Sequence, residues 1–310
     1  MSDRNVRVSV VICTRNRPDK IGQAVTSVLA VDRHDFELLI IDQSTDTATE
    51  DAVGAIAADD PRVRYQHMDA AGLSRAYNAG IAGTTGDIIA FTDDDCVVPT
   101  DWLDRIVAAF GSEPDADLLY GQVRPLEEGA EGLLLTPFFL IDEPVRLSRR
   151  DGFRVAGMGA NFAARRRLFE TVGPFDEALG GGGPLKSAQD YDLAYRAYLR
   201  ESVIILRPEV SIRHDGRREM VDWPSLLDNY GFGDGAFYSK HVRCRDPYAL
   251  WLLTRKLGGT SAKYLAKLVL RRKPSEGRYV RGMVRGIRGG WRFTVDRDTR
   301  LYGAPRGQTR

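Results

Sequence analysis

Short β-branched and aliphatic runs alternate with stretches of helical spacing through the first third of the chain. Val6 to Ile12 predicts a buried strand, and Asp19 to Leu29 follows with apolar residues at Ile21, Val25, Val28 and Leu29, one face of a helix. Phe36 to Ile41 predicts a second strand ending at Asp42, Thr49 to Ala58 a helix, and Val63 to Gln66 a short strand. Leu73 to Ile81 predicts a helix stopping at Gly83, and Asp87 to Thr92 a further strand. This alternation with short links predicts an α/β fold, a mostly parallel sheet with helices on both faces.

Beyond Trp102 to Phe110, a predicted helix, the periodicity weakens. Leu118 to Val123 reads as a strand, whereas Pro125 to Gly152 mixes apolar and acidic residues with little period and is expected to be a mobile substrate loop. Order resumes at Ala156 to Ala164 and in a helix over Arg166 to Val172. Gly180 to Gly183 is a flexible break, Asp190 to Arg200 has helical spacing, and Val203 to Leu206 predicts a strand.

Ligands of open parallel sheets gather beyond the carboxyl ends of the strands. Three polar strand ends meet that description: Thr14-Arg15, Asp42-Gln43-Ser44 and Asp93-Asp94-Asp95. Adjacent carboxylates repel and resist desolvation, so the triple Asp calls for a compensating cation or ligand, or else is a solvated turn capping the next helix.

Composition narrows the class. The chain has 310 residues, 43% hydrophobic and 28% charged, enough for one large core or two modest ones. Its net charge of +1 conceals an asymmetry: His241 to Arg310 carries 18 Lys and Arg against 4 Asp and Glu, which leaves −13 on the first 240 residues. Three separated cysteines, Cys13, Cys96 and Cys244, suggest neither a disulfide framework nor a zinc site, and buried structural thiols are expected. With no apolar leader and no run long enough to span a bilayer, the expectation is a cytoplasmic protein, peripheral at most at the inner face of the membrane.

Ordered motifs carry a resemblance. They are Val8 to Arg17, Leu39-Ile-Ile-Asp42, Gly72 to Gly80, Phe91-Thr-Asp-Asp-Asp95, Gly159-Ala-Asn161 with Arg165-Arg166 and Gly173-Pro-Phe-Asp176, Gln189-Asp-Tyr-Asp-Leu193, and His214. Over Val8 to His214 the chain resembles the family 2 glycosyltransferases of GT-A fold. The resemblance implies a catalytic domain over 1–222, with a basic helical extension over 223–310. It further implies inverting, metal-dependent transfer of a sugar from a nucleotide diphosphate donor (UDP-, dTDP- or GDP-linked) to a hydroxyl of a glycan or lipid-linked acceptor. The leaving diphosphate needs a cation, so Mn2+ or Mg2+ is the implied cofactor.

Residue by residue, the resemblance implies nucleotide-sugar contacts at Thr14, Arg15, Arg17, Asp42, Ser44 and Arg75. Asp93 would face the ribose, Asp95 would bind the metal, and Asp94 could share either task. His214 would complete the metal or diphosphate site, or else is an ordinary packing residue. Gly159 and Asn161 would meet donor sugar and acceptor, or else serve tight packing. Asp190 would be the general base for the acceptor hydroxyl. The preceding position, usually Glu in the family, is Gln189 here, which bears on tuning and acceptor preference.

From Trp223 to His241 the sequence is aromatic-rich, a possible wall for the acceptor, and further helices are predicted over Tyr248 to Leu257 and Ser261 to Leu270. Basic helices with Leu, Trp and Tyr on another face suit an anionic membrane surface, unless the charges simply solvate the extension or pair with the acidic catalytic domain. No nucleic-acid module accompanies them. Two other classes stay open: a non-catalytic sugar- or lipid-binding subunit, suggested by Gln189, and a sugar-nucleotide nucleotidyltransferase, disfavoured because Cys13 to Arg17 contains no glycine for a phosphate loop.

Overall fold

The computed structural model describes residues 6–57, 60–126, 134–135, 138–154, 157–215, 218–219, 223–272 and 275–307. They pack as two compact units, one of residues 1–71, 75–174 and 193–218, the other of residues 72–74, 175–192 and 219–310. Segment 175–192 therefore packs with the helical carboxyl-terminal region, not with the sheet that precedes it in the chain.

In the first unit the alternation of apolar run and helical stretch becomes β1 (Val8–Thr14), α1 (Pro18–Leu29), β2 (Phe36–Asp42), α2 (Ala48–Ala57), β3 (Val63–His67), α3 (Leu73–Gly83) and β4 (Ile88–Asp93). Then come β5 (Cys96–Val97), α4 (Trp102–Ser112), β6 (Ala116–Pro125), β7 (Leu134–Leu135), β8 (Val145–Leu147), β9 (Asn161–Arg165) and α5 (Arg166–Val172). After α6 (Gln189–Leu199), β10 (Val203–His214) completes the sheet and β11 (Arg218–Glu219) follows. The strand order is β3-β2-β1-β4-β9-β6-β10-β5, with β8 also on β10.

Strands β1 to β4 pair in parallel; β1, β2 and β4 are almost wholly buried, which is why they read as continuous apolar runs, whereas β3 at the sheet edge is half to fully exposed. The antiparallel β9 lies between β4 and β6. On one face Val10, Ile12, Leu38 and Ile40 pack with Ile21, Val25 and Val28 of α1 and Trp102, Ile106 and Phe110 of α4. On the other, Leu39 and Ile41 meet Ala76 of α3, while Phe91 and Phe162 stack at 4.4 Å beneath the ring of Tyr77. Pro125 to Gly152 is more regular than expected where it is described. Phe139 bridges Val123, β8 pairs with Ile204 to Leu206, and Ser148 and Asp151 cap a 3-10 turn. Residues 127–133 and 136–137 lie outside the described residues.

The second unit is built on α7 (Trp223–Arg243), α8 (Pro247–Val269) and α9 (Glu276–Gly290), followed by the hairpin β12 (Phe293–Val295) and β13 (Tyr302–Pro305). Glycines let α7 and α9 touch backbone to backbone. A Cβ at Gly286 would overlap the Phe232 carbonyl, one at Gly282 the Asp228 carbonyl, and ones at Gly231 and Gly235 the Tyr279 and Met283 carbonyls. Gly286→Ala is therefore expected to cost about 2–3 kcal/mol, since overlap with backbone outweighs the roughly 1 kcal/mol that alanine contributes to helix propensity. Gly258→Ala in α8, where a Cβ meets nothing within 4 Å, should instead stabilise by about 1 kcal/mol. Urea midpoints of the two variants test the contrast.

Beside this seam lies a charged cluster sealed from water. Lys240 Nζ donates to Asp176 Oδ2 at 2.5 Å and stands 2.7 Å from Asp192 Oδ1, with all three side chains at 0% exposure. The Tyr302 amide also donates to Asp176 Oδ2, and His241 Nε2 lies 2.9 Å from Asp192 Oδ1. Burial drives His241 down to about 4, against the pull of Asp192. Its folded value lies below the unfolded one of about 6.5, so the unfolded chain takes up the proton first and stability falls as pH drops from ~6.5 to ~4. The loss should approach about 3 kcal/mol, and His241→Asn should flatten that part of a stability-against-pH curve.

Candidate functional site

Parallel register gathers the polar strand ends. Thr14 stands opposite Asp42, and Cys13 opposite Asp93. The Asp94 carboxylate is reached from β1: Thr14 Oγ1 donates to Oδ2 at 2.7 Å, and Arg17 Nη1 donates to Oδ1 at 2.7 Å. The same Arg17 nitrogen donates to Asp95 Oδ2 at 3.0 Å. From the far side β10 closes on the turn after β4, with His214 paired to Cys96 and the Asp215 amide donating to the Asp95 carbonyl at 2.7 Å. Lys20 holds Asp215 in turn, at 2.6 Å.

The three carboxylates differ electrically. Burial, then the charge of Asp95, pushes Asp93 up to about 7, against the pull of His214 and Arg17. Burial also raises Asp94, with Arg17 and Thr14 opposing it. Asp95 feels the same desolvation, yet His214 and Arg17 outweigh it and hold the group at about 2. The two carboxylates in turn raise Arg17 against its own burial. Asp95 is thus the member that keeps its charge most firmly.

Its Oδ1 is also the open position of the site. His214 Nε2 stands 3.2 Å from Asp95 Oδ1, but that buried oxygen receives no hydrogen bond. An anionic oxygen shut away without a donor is costly, and it is an open ligand position. Ligand atoms of Asp95, Cys96 and His214 lie within 4.8 Å of one another. Burial, reinforced by the neighbouring Asp93 and Asp95, lifts the Cys96 thiol well above its usual range, so it stays protonated and supplies no thiolate. What remains is oxygen and imidazole, a donor set that fits a hard divalent cation.

The other sequence-predicted residues fall into distinct settings. Asp42 is buried with both oxygens occupied, Oδ1 by the Ser44 amide and hydroxyl at 2.8 and 2.5 Å and Oδ2 by the Tyr65 hydroxyl at 2.6 Å. Ser44 Oγ in turn accepts the Asn16 amide at 2.7 Å, where Asn16 takes a left-handed φ of 54°. Ser44 thereby ties the β1 loop to the β2 loop. Arg15 is exposed at this edge, and Arg75 is exposed in the first turn of α3.

Asn161 is buried and committed elsewhere. Its amide donates to the carbonyls of Gln122 at 3.0 Å and Val210 at 2.9 Å, and its Oδ1 accepts the Trp102 indole at 3.1 Å. Both amide hydrogens are spent on pinning β6, β10 and α4. Gly159 lies half-buried just before β9, and Gly157 permits close approach to the ring of Tyr120. Arg165 and Arg166 likewise hold backbone carbonyls, those of Phe110 and Ala116 and those of Ile81 and Gly86.

Asp190 belongs to the second unit, half-buried in the first turn of α6, with Oδ1 accepting the Tyr191 amide at 2.9 Å. Sequence reading missed its neighbour Asp234 on α7. Burial raises that group and the charge of Asp190 adds to the rise, while the Tyr279 hydroxyl, which donates to Asp234 Oδ2, opposes it. Asp234 sits between two glycines, and that signal announced close packing, not chemistry.

Comparison with known proteins gives the family. The family model described as Glycosyl transferase family 2 matches residues 9–173. A pre-mycofactocin glycosyltransferase of Mycobacterium tuberculosis is 24% identical over 278 residues, 85% of this chain and 55% of the relative. A glucosyl-dolichyl phosphate glucuronosyltransferase of Haloferax volcanii is 28% identical over 188 residues, 57% of this chain and 58% of that protein. The chain thus spans little more than half the length of these curated relatives. Among solved structures, the mannosyltransferase PcManGT from Pyrobaculum calidifontis, in complex with GDP-Man and Mn2+, has the same fold. It superposes with a TM-score of 0.60 at 19% identity, over 91% of this chain and 87% of that one. TarS of S. aureus in complex with UDP-GlcNAc gives 0.54 at 15% identity, over 92% and 89%. With the motifs in their expected order on this sheet and the model matching more than half its length, the chain belongs to glycosyl transferase family 2.

Proposed function

We propose that the protein transfers a sugar, with inversion, from a nucleotide diphosphate donor to a hydroxyl of a glycan or lipid-linked acceptor, assisted by Mn2+ or Mg2+. The observation that carries this reading is the donorless buried Oδ1 of Asp95 at the end of β4, with His214 beside it. Asp95 and His214 would hold the cation, which when bound supplies positive charge for the departing diphosphate. Arg17, already drawn onto Asp94 and Asp95, can turn its guanidinium to phosphate, and exposed Arg15 and Arg75 add positive charge. Asp93, partly protonated near neutral pH, suits a hydroxyl-rich partner such as ribose. Asp190 takes the proton of the attacking acceptor hydroxyl. Gly159 lines the approach to the donor sugar, with Asn161 supporting from behind.

Thermal unfolding with UDP, GDP or dTDP, with and without Mn2+, tests the reading. One nucleotide with Mn2+ at a hundred times its dissociation constant should raise stability by about 2.7 kcal/mol, several degrees of midpoint. Asp95→Asn should remove the Mn2+-dependent part. Equal shifts with and without metal for every nucleotide would exclude the cation from the site.

A further inference from the structure

Helix α8 is two-faced in an unusual sense. Ala249 and Leu252 are buried, and Leu253, Leu257, Thr260 and Tyr264 are half-buried against the rest of the unit. The opposite face is also apolar, yet it faces solvent: Leu250, Trp251, Leu265, Leu268 and Val269 are 46–82% exposed. At roughly 100° per residue these five fall within one arc of about 100°, shared between them by Thr254, Gly258 and Ser261. The arc runs for about 28 Å along the helix. Ordinary surface helices turn charge outward, so this stripe lacks a partner of its own polarity.

The charges nearby say which partner fits. From Pro247 to Arg272 there is no Asp or Glu and there are six Lys or Arg. Arg255 occupies the flank next to the apolar arc and Arg271 and Arg272 extend the last turn beyond Val269, all three exposed, whereas Lys256 and Lys263 lie on the far side of the helix. Arg255 folds back over the Trp251 ring at 5.3 Å, leaving an indole at the polar edge of the stripe. Long cationic side chains flanking an apolar stripe, with a Trp at the seam, match the boundary of a bilayer: acyl chains take the leucines and anionic headgroups take the cations. Pairing with the same stripe of a second copy would set cation against cation, because Pro247 to Arg272 has no carboxylate. A phosphate backbone would leave the leucines in water. No helix among the described residues is long and apolar enough to cross a membrane, so the contact is one of lying on the surface.

We propose that the solvent-facing stripe of α8 docks the protein on anionic lipid, with Leu250, Trp251, Leu265, Leu268 and Val269 entering the interface and Arg255, Arg271 and Arg272 binding headgroups. This goes beyond sugar transfer and is measured without donor or acceptor, so either reading can fail while the other stands. The full chain is mixed with phosphatidylcholine vesicles, with or without phosphatidylglycerol, sedimented, and followed by Trp emission.

Binding is expected only with phosphatidylglycerol, with a blue shift that Trp251→Phe largely removes. The triple variant Arg255→Gln/Arg271→Gln/Arg272→Gln should lower the partition coefficient roughly a hundredfold, at about fivefold per charge. Leu265→Gln/Leu268→Gln/Val269→Gln should abolish binding with an unchanged urea midpoint, because exposed positions contribute little to the fold. Protein left in the supernatant with phosphatidylglycerol, or sedimenting equally with neutral vesicles, would overturn the proposal. So would a dimer in light scattering that the leucine variant dissociates, which would make the stripe a self-contact.

Discussion

Asp190→Asn is expected to lower turnover by about 10²–10⁴-fold with little change in donor affinity. The amide is nearly isosteric and its Oδ1 can still accept the Tyr191 amide, so the first turn of α6 should stay in place. What asparagine cannot do is take the proton of an acceptor hydroxyl. The loss should therefore fall on kcat, while the thermal shift given by nucleotide with Mn2+ matches that of the unaltered protein. Asp234 provides a second readout. The like charge of Asp190 contributes to its raised titration, so Asp234 should ionise at lower pH in the variant. Unchanged turnover with a matched acceptor would remove Asp190 as the base and turn attention to Asp234→Asn.

Lys240→Met should cost the fold about 3–5 kcal/mol, because it strands two carboxylates that have no exposure to water. For a chain of this size that corresponds to a fall of roughly 6–20 °C in the unfolding midpoint. Asp192 lies two residues beyond Asp190, so the surviving fraction should also show a lowered kcat through misplacement of α6. A loss below about 1 kcal/mol in urea denaturation would mean that water or rearrangement reaches the cluster.

The part of the fold that could be read from sequence is the part whose pairing follows chain order. Strands β1, β2 and β4 are buried on both faces and, with the edge strand β3, alternate with helices, so apolar runs and turns locate them, and the polar residues at their ends locate the acidic cluster. The antiparallel β9 is different: it enters between β4 and β6, a pairing across a long stretch of chain with no local signature. Strand β8 was hidden for the same reason, in a segment that reads as loop.

Within the site, residue type suggested role, but commitment of hydrogen bonds was invisible. Asn161 looks like a ligand contact until Trp102, Gln122 and Val210 are seen to use its amide. A boundary after residue 222 followed composition, whereas packing follows the pairing of Asp176 and Asp192 with Lys240. Charged residues in a sequence read as surface, and only convergence of distant segments makes them interior. The same holds for Gly231, Gly235, Gly282 and Gly286, which mark backbone against backbone between helices distant in the chain.

The sealed cluster also sets an order for synthesis. Asp176 must await Lys240, 64 residues later, and the Tyr302 amide, 126 residues later. At ribosomal rates of about 5–20 residues per second, the nascent segment around Asp176 stays without its ammonium for roughly 3–13 s after it is made. The sheet of the first unit has most of its strands by then, but its last, β10, is also still to come. The second unit thus closes only after β13 has been made, so a product ending before β13 would lack the Tyr302 amide on Asp176 Oδ2 and be a better target for proteolysis.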